Sequence, residues 1–337
     1  MLIRVIGAGA LGMLTAAYLC RTAAKVEIIT RTEQQARLLR EQGLQLTAAA
    51  ENASMEPRSG TAGETVEFPE VLTFEQTLAD GLGGRARPGS PDFILLTVKQ
   101  TAITDKLAHG IVAQLGADSR LICFQNGVGH LDVLRKVIPA RQILLAVTTE
   151  GAMVKSPRHV AHTGRGMTWV GSAAAEPDFA GRSDHSLTKK FVNVLSDAGF
   201  STSLSNNIIS KVWNKLLINA IINPLTAVLQ IHNGQLPQLP DALILMRSLY
   251  YEAVTLADKL GIELAPDLWQ QVLLVCERTA GNRSSMLQDV LLHRPTEVDA
   301  ITGGLLREAE QAGIAMPTHA AMYHLLRSIE QQWMNIT

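Results

Sequence analysis

The pattern of apolar and polar positions changes regime near residue 205. Before that point short β-forming runs alternate with helical stretches; beyond it only helical spacing remains. Residues 2–6, 26–29, 93–98, 120–125 and 143–147 read as strands, and 93–98 is unbroken in apolarity, as a parallel strand covered on both faces should be. Helices are expected after the first strand through Tyr18 and Leu19, then at 33–42, 102–115 and 186–198, followed by a strand at 200–204. Between 48 and 91 the pattern weakens, with loop composition at 57–60 and 81–90 around a strand at 66–71 and a short helix at 74–80. Residues 159–170, alternating and glycine-turned, read as a β hairpin. One long helix is expected over 206–232, kinked or stepped at Asn223-Pro224 because Pro cannot donate to the preceding turn. Helices follow at about 241–260, 266–279, 284–291, 296–312 and 317–334, with Glu297 in the first turn of the one at 296–312.

Chemistry enters at the first strand. Gly7-Ala8-Gly9-Ala10-Leu11-Gly12 lies between that strand and its helix, the context in which a GxGxxG turn binds a dinucleotide. The first glycine permits the tight turn, the second lets a pyrophosphate approach the backbone, and the third lets helix and strand pack closely, with helix N–H groups meeting the phosphates. The expected fold class is therefore an α/β N-terminal Rossmann-like dinucleotide-binding domain, residues 1–205, plus an all-α C-terminal substrate domain, residues 206–337. The second strand ends in Thr30-Arg31, where an NAD-binding unit would place an acid on the ribose hydroxyls; Arg31 can instead pair with a 2′-phosphate, which favours NADP(H). A solvent-exposed Arg is the bland alternative. Lys99 and Asn126 each follow a strand at its carboxyl end, where ligands collect in open α/β sheets, although Asn126-Gly127 is also a common turn signal.

In the second half, Lys215, Asn219 and Asn223 recur every four residues in an apolar run and form one polar stripe on a helix. Burying such groups without partners costs roughly 1 to 3 kcal/mol each, more for the ammonium. A bound polar ligand is one partner; a satisfied structural network or a solvated helix face is the other. Ser284-Ser285 followed by Asp289 reads as a helix start whose free N–H groups suit a carboxylate. Glu297 in a first helical turn is ordinarily placed there by the helix dipole.

Composition narrows the partners. With 337 residues, 30 Lys+Arg and 31 Asp+Glu, the chain is long enough for two domains and has no basic field for nucleic acid or for a membrane surface. Cys20, Cys123 and Cys276 lie far apart and read as core residues in a reducing compartment. His159 and His162 lack the clustered partners of a metal site. No signal region and no uninterrupted membrane span are read, so a soluble cytoplasmic protein is expected.

Together these residues make the chain resemble the ketopantoate reductase (2-dehydropantoate 2-reductase) family over nearly its whole length. The marks are the glycine turn, Arg31, Thr97-Val98-Lys99, Gln125-Asn126-Gly127-Val128-Gly129, Thr148 to Ala152, Trp213-Asn214-Lys215 with Asn219 and Asn223-Pro224-Leu225-Thr226, Asn233-Gly234, Asn282 to Asp289, and Thr296-Glu297-Val298-Asp299. The resemblance implies that Gly7, Ala8, Gly9, Ala10, Leu11, Gly12, Arg31, Lys99, Asn126 and Ala152 hold NADPH, with Glu297 reaching the ribose near the nicotinamide. It implies Lys215 as proton donor, and Asn219, Asn223, Asn233, Asn282, Arg283, Ser284 and Ser285, with Lys215, as the contacts of a small 2-oxo acid, in a cleft between the domains. Gln235 stands where the family often has an acid, and 48–91 is longer in loops than in simpler members. Reduction of another 2-oxo acid and a non-catalytic NADP(H) sensor are the rival readings. A homodimer is compatible with the sequence but not dictated by it.

Overall fold

The computed structural model describes residues 1–48, 64–79, 90–173 and 182–334; the loops expected at 57–60 and 81–89 lie outside them. Two compact units are present: residues 1–98, 102–125 and 132–208 form the first, and 99–101, 126–131 and 209–337 the second.

In the first unit, β1 (Leu2–Ile6), β2 (Lys25–Thr30), β5 (Glu70–Thr73), β6 (Phe93–Leu96), β7 (Arg120–Cys123), β8 (Ile143–Thr148), β11 (Met167–Ser172) and β12 (Ser201–Leu204) make one sheet in the order β12-β11-β8-β7-β6-β1-β2-β5. All its pairs are parallel except β8 with β11. The strands β6, β7 and β8 are buried at every residue, which is why β6 reads as an unbroken apolar run. From β1 the chain winds outward through β2 and β5, then returns to place β6 on the other side of β1. That reversal puts a switch point at the carboxyl ends of β1 and β6, the crevice in which such sheets bind nucleotides.

A second sheet, in the order β4-β3-β10-β9, comprises β3 (Leu44–Thr47), β4 (Glu64–Glu67), β9 (Gly151–Ser156) and β10 (His159–Gly164). Helix α1 (Ala10–Leu19) packs against both sheets and is buried from Gly12 to Leu19, so it is apolar all round rather than striped. Helix α2 (Glu33–Gln42) matches its expected span and is capped by the Thr32 side chain, which accepts from Gln35 N. Then come α3 (Phe74–Ala79), α4 (Asp105–Val112), α5 (His130–Leu134) and α6 (Arg182–Asp197); Phe191 of α6 meets Phe93 of β6 with ring centroids 5.0 Å apart.

The first unit departs from the sequence pattern at two places. Residues 159–170 are not a hairpin: β10 pairs antiparallel with β9 and parallel with β3, while β11 crosses to the large sheet. The turn between them lets the chain change sheets, and a Cβ on Gly166 would lie 2.4 Å from the Thr149 backbone, so close approach to β8 decides the partner. The single strand expected at 66–71 is two, β4 and β5, which belong to different sheets.

The second unit is helical among its described residues: α7 (Ile208–Leu229), a short 3-10 segment (Asn233–Gln238), α8 (Pro240–Lys259), α9 (Leu268–Arg278), α10 (Ser285–Leu291), α11 (Thr302–Ala312) and α12 (Pro317–Met334). Helix α7 is long and apolar enough to cross a membrane, yet it is mostly buried as a core helix. Trp213, Leu216, Leu217 and Ala220 enter one apolar cluster, and Ile221, Ile222 and Leu225 another. The one long helix expected here is present, and it runs on through Pro224 to Leu229. A mid-helix Pro costs about 3 kcal/mol, and fully burying two or three Leu or Ile side chains on either side of it offsets that.

Candidate active site

The glycine turn is built as its three roles require. Gly7 adopts φ +117°, a conformation that favours glycine, and a Cβ on Gly12 would lie 1.8 Å from Gly7 O. Gly9, by contrast, would meet nothing within 4 Å with a Cβ, and it caps α1 without any side-chain hydrogen bond. An α1 start with no side-chain cap, beside a residue with no side chain, is an arrangement that fits a pyrophosphate. Thr97 Oγ1 donates to Gly7 O at 2.9 Å and Gln35 Nε2 to Ala8 O at 3.0 Å, fixing the turn from β6's end and from α2. Gln35 was invisible to motif reading, since an amide on an exposed helix face carries no signal of its own. Arg31 is exposed directly after β2, and Ala152 lies in β9, packed on the first unit's core.

The remaining predicted residues collect in the second unit. Lys99 and Asn126, which follow β6 and β7, group with the helices. Lys99 Nζ donates to Asp289 Oδ2 at 2.7 Å and to Pro295 O at 3.0 Å, and Arg294 Nε lies 3.3 Å from Asp289 Oδ1. Asn126 Nδ2 donates to Glu297 Oε2 at 3.3 Å, while Asn126 Oδ1 is buried without a partner among the described residues. Gly127, at φ +83°, presses its backbone so close to Ala300 that a Cβ would fall 2.2 Å from the Ala300 oxygen.

Glu297 itself is not in a helix. It sits in a turn ahead of α11, with Ala300 N and Ile301 N both donating to its carbonyl at 3.0 Å. The first-turn dipole account therefore fails, and tertiary anchoring replaces it. The buried Glu330 of α12 accepts from Thr296 N at 2.8 Å and Thr296 Oγ1 at 2.7 Å, holding the residue next to Glu297 in place. Glu330 is a positioning residue that its sequence context, one carboxylate near the end of a polar helix, did not reveal.

Lys215 is at the middle of α7 and makes no hydrogen bond or ion pair among the described residues. By accessible surface it is half-buried, yet burial lowers its pKa from the ordinary 10.5 to about 8, against the upward pull of the Glu297 carboxylate. At neutral pH it remains mostly an ammonium, poised near the pH at which it can release a proton. Asn219 and Asn223 lie one and two turns further along α7, Asn223 only 8% exposed. Thr226 Oγ1 donates to Ile222 O at 2.8 Å and accepts from Ser284 Oγ at 2.8 Å, tying α7 to the Asn282–Ser285 stretch. Ser284 caps α10 by accepting from Leu287 N at 3.0 Å, and Asn282 O accepts from Asn233 N at 3.1 Å. Ser285 and Arg283 are exposed beside that cap. Lys215, Asn233 and the Asn282–Ser285 stretch therefore belong to one unit, and the glycine turn, Arg31 and Ala152 to the other.

Comparison with known proteins agrees. Residues 3–175 match the family model described as ketopantoate reductase PanE/ApbA, and residues 207–330 its C-terminal counterpart. A 2-dehydropantoate 2-reductase of Bacillus subtilis is 31% identical over 332 residues, covering 98% of each chain. One of Archaeoglobus fulgidus is 33% identical over 249 residues, covering 73% of this chain and 79% of the relative. The solved ternary structure of D-mandelate dehydrogenase with NADH and anilino(oxo)acetate shares the fold, at a TM-score of 0.83 and 24% identity over 98% of this chain and 99% of the other. With both of its units matched by the family models, the chain belongs to the ketopantoate reductase family.

Proposed function

We propose that this protein reduces 2-dehydropantoate to pantoate, taking a hydride from NADPH and a proton from Lys215. The observation that carries the reading is the Lys215 ammonium, unpaired among the described residues and brought by burial to a pKa of about 8. When bound, NADPH would supply the hydride for the 2-oxo carbon. The chain's own task is then the oxygen, which would become an alkoxide too basic to persist in water. Lys215 stabilises that oxygen as charge develops and hands it a proton, leaving a neutral amine that solvent reprotonates. Glu297 holds the ammonium in its charged form before the transfer. Asn219, Asn223 and Ser285 orient the acid without adding a competing charge. The uncapped amides beside Gly9 would hold the pyrophosphate, and Arg31 the 2′-phosphate that distinguishes NADPH from NADH.

Support comes from family membership and from two relatives that carry the 2-dehydropantoate 2-reductase name. The reading also includes a cytoplasmic location, in keeping with three free cysteines, and a homodimer, for which exposed Ile244 and Tyr251 of α8 provide an apolar face. The test is a panel of 2-oxo acids assayed by nicotinamide absorbance with NADPH. The highest kcat/KM should belong to 2-dehydropantoate; a different acid ranking first would transfer the activity to that acid. Tight NADPH binding with no turnover on any acid would make the protein a sensor.

A further inference from the structure

One buried amide carries information beyond that assignment. Asn233 opens the 3-10 segment after α7, is 7% exposed, and donates from Nδ2 to Thr279 Oγ1 at 2.9 Å. Its Oδ1 is buried with no hydrogen-bond partner among the described residues. Carboxamide nitrogen and oxygen are close to isosteric, so which one faces Thr279 has to be argued from the hydrogens.

Thr279 settles it. Its Oγ1 lies 2.6 Å from the carbonyl oxygen of Val275, one turn earlier at the end of α9. Two oxygens at that distance require a proton between them, and only the hydroxyl can supply it. The hydroxyl's single hydrogen is thereby committed, so toward Asn233 it can only accept. The amide must present its NH2 to Thr279 and its carbonyl to the other side. The neighbouring backbone reinforces this, because a Cβ on Gly234 would fall 2.5 Å from Ala280 Cβ, and Gly234 N donates to Ala280 O at 3.2 Å. The segment is pressed on the end of α9, and Asn233 N is held by Asn282 O at 3.1 Å.

The oxo and carboxylate groups of a 2-oxo acid are acceptors and cannot pair with a carbonyl oxygen. A hydroxyl elsewhere on the acid can. We infer that Thr279 is a positioning residue for substrate selectivity, holding the Asn233 carbonyl toward the bound acid so that the site favours a 2-oxo acid bearing a hydroxyl donor. This rests on the reductase reading above. It adds a residue that touches no substrate and a reason for rejecting deoxy analogues, since leaving a buried acceptor unpaired is costly.

The test compares 2-dehydropantoate with trimethylpyruvate, the same acid with hydrogen in place of the hydroxyl, in the full-length enzyme with NADPH. Wild type should prefer the hydroxy acid, and Thr279→Val, which frees the amide to turn over, should reduce the ratio of the two kcat/KM values by ~10-fold or more. The loss should fall on 2-dehydropantoate, and Thr279→Ser should restore the ratio. Asn233→Ala should lower it as well, and adding Thr279→Val to that variant should change it no further. Should Thr279→Val fold poorly, Thr279→Ala, which also removes the hydroxyl, decides the matter by the same ratio. An unchanged ratio in Thr279→Val, equal losses on both acids, or no preference in wild type overturns the inference while leaving the reductase standing. A wild type that turns over neither acid overturns the reductase reading, and this one with it.

Discussion

Replacing Lys215 by Met should stabilise the ligand-free protein while removing its activity. Burial lowers the Lys215 pKa from 10.5 to about 8, so the folded state holds the ammonium less favourably than the unfolded chain does. At about 1.4 kcal/mol per pKa unit, the shift corresponds to ~3 kcal/mol of penalty at neutral pH. Half-burial of the side chain and solvent screening bring the expected gain to about 1 to 3 kcal/mol. The sign follows from proton binding. Between about pH 8 and 10.5 the unfolded chain binds more protons than the folded one, so wild-type stability rises with pH across that window. Below it the penalty is present in full. Met retains the volume and carries no charge, so the advantage of Lys215→Met should be largest at neutral pH and should vanish as pH approaches 10.5. Urea unfolding of both proteins at several pH values measures this. In the same variant kcat should fall by ~100-fold or more, the usual size of a general-acid contribution. Wild-type kcat/KM should also decline as pH rises through about 8. A variant less stable than wild type at neutral pH, or a stability difference indifferent to pH, would refute the assignment of a desolvated ammonium at the centre of α7.

Gly9→Ala should leave the melting temperature unchanged and weaken NADPH binding, because its Cβ meets nothing within 4 Å among the described residues; Gly12→Ala should lower the melting temperature outright, its Cβ falling 1.8 Å from Gly7 O. Calorimetry with and without cofactor separates the two, and equal melting losses would contradict the assigned roles. Arg31→Ala should raise the KM for NADPH by ~10-fold or more and barely alter that for NADH; parallel losses would take Arg31 off the 2′-phosphate. Glu252 of α8 accepts from Thr318 N, His319 N and His319 Nδ1 at 2.8, 3.0 and 2.9 Å, capping α12. Burial acts to raise its pKa, but those hydrogen bonds outweigh it and lower the value to about 2. The carboxylate's contribution is therefore complete above about 4.5 and disappears as pH falls through about 2. Glu252→Gln should cost about 1 to 3 kcal/mol at neutral pH, and acid titration of stability should show the difference closing in that window.

The sequence was most informative wherever a local pattern and its physical cause coincide. The strand, glycine turn and helix at the N-terminus could be read directly, since Gly7 and Gly12 are required by backbone geometry within a few residues of themselves. So could the helical second half and the Lys215, Asn219 and Asn223 stripe, because four-residue spacing is a property of the helix alone. Expectations faltered where the cause lay elsewhere in the chain. Residues 159–170 alternate as a hairpin would, but β8 and β3 compete for the two halves and win.

Fold class, the type of nucleotide turn and the candidate proton donor were thus determined by sequence, because each depends on contacts at short chain separation. Tertiary structure alone decided that Glu297 sits in a turn anchored by Glu330 rather than in a helix, and that Lys99 is paired with Asp289. It also decided which face of Asn233 is left to a ligand. These depend on partners 34, 190 and 46 positions away in the chain. Neither periodicity nor propensity reports a partner at such a distance, and the hydrogen bond that selects one exists only once the helices have packed.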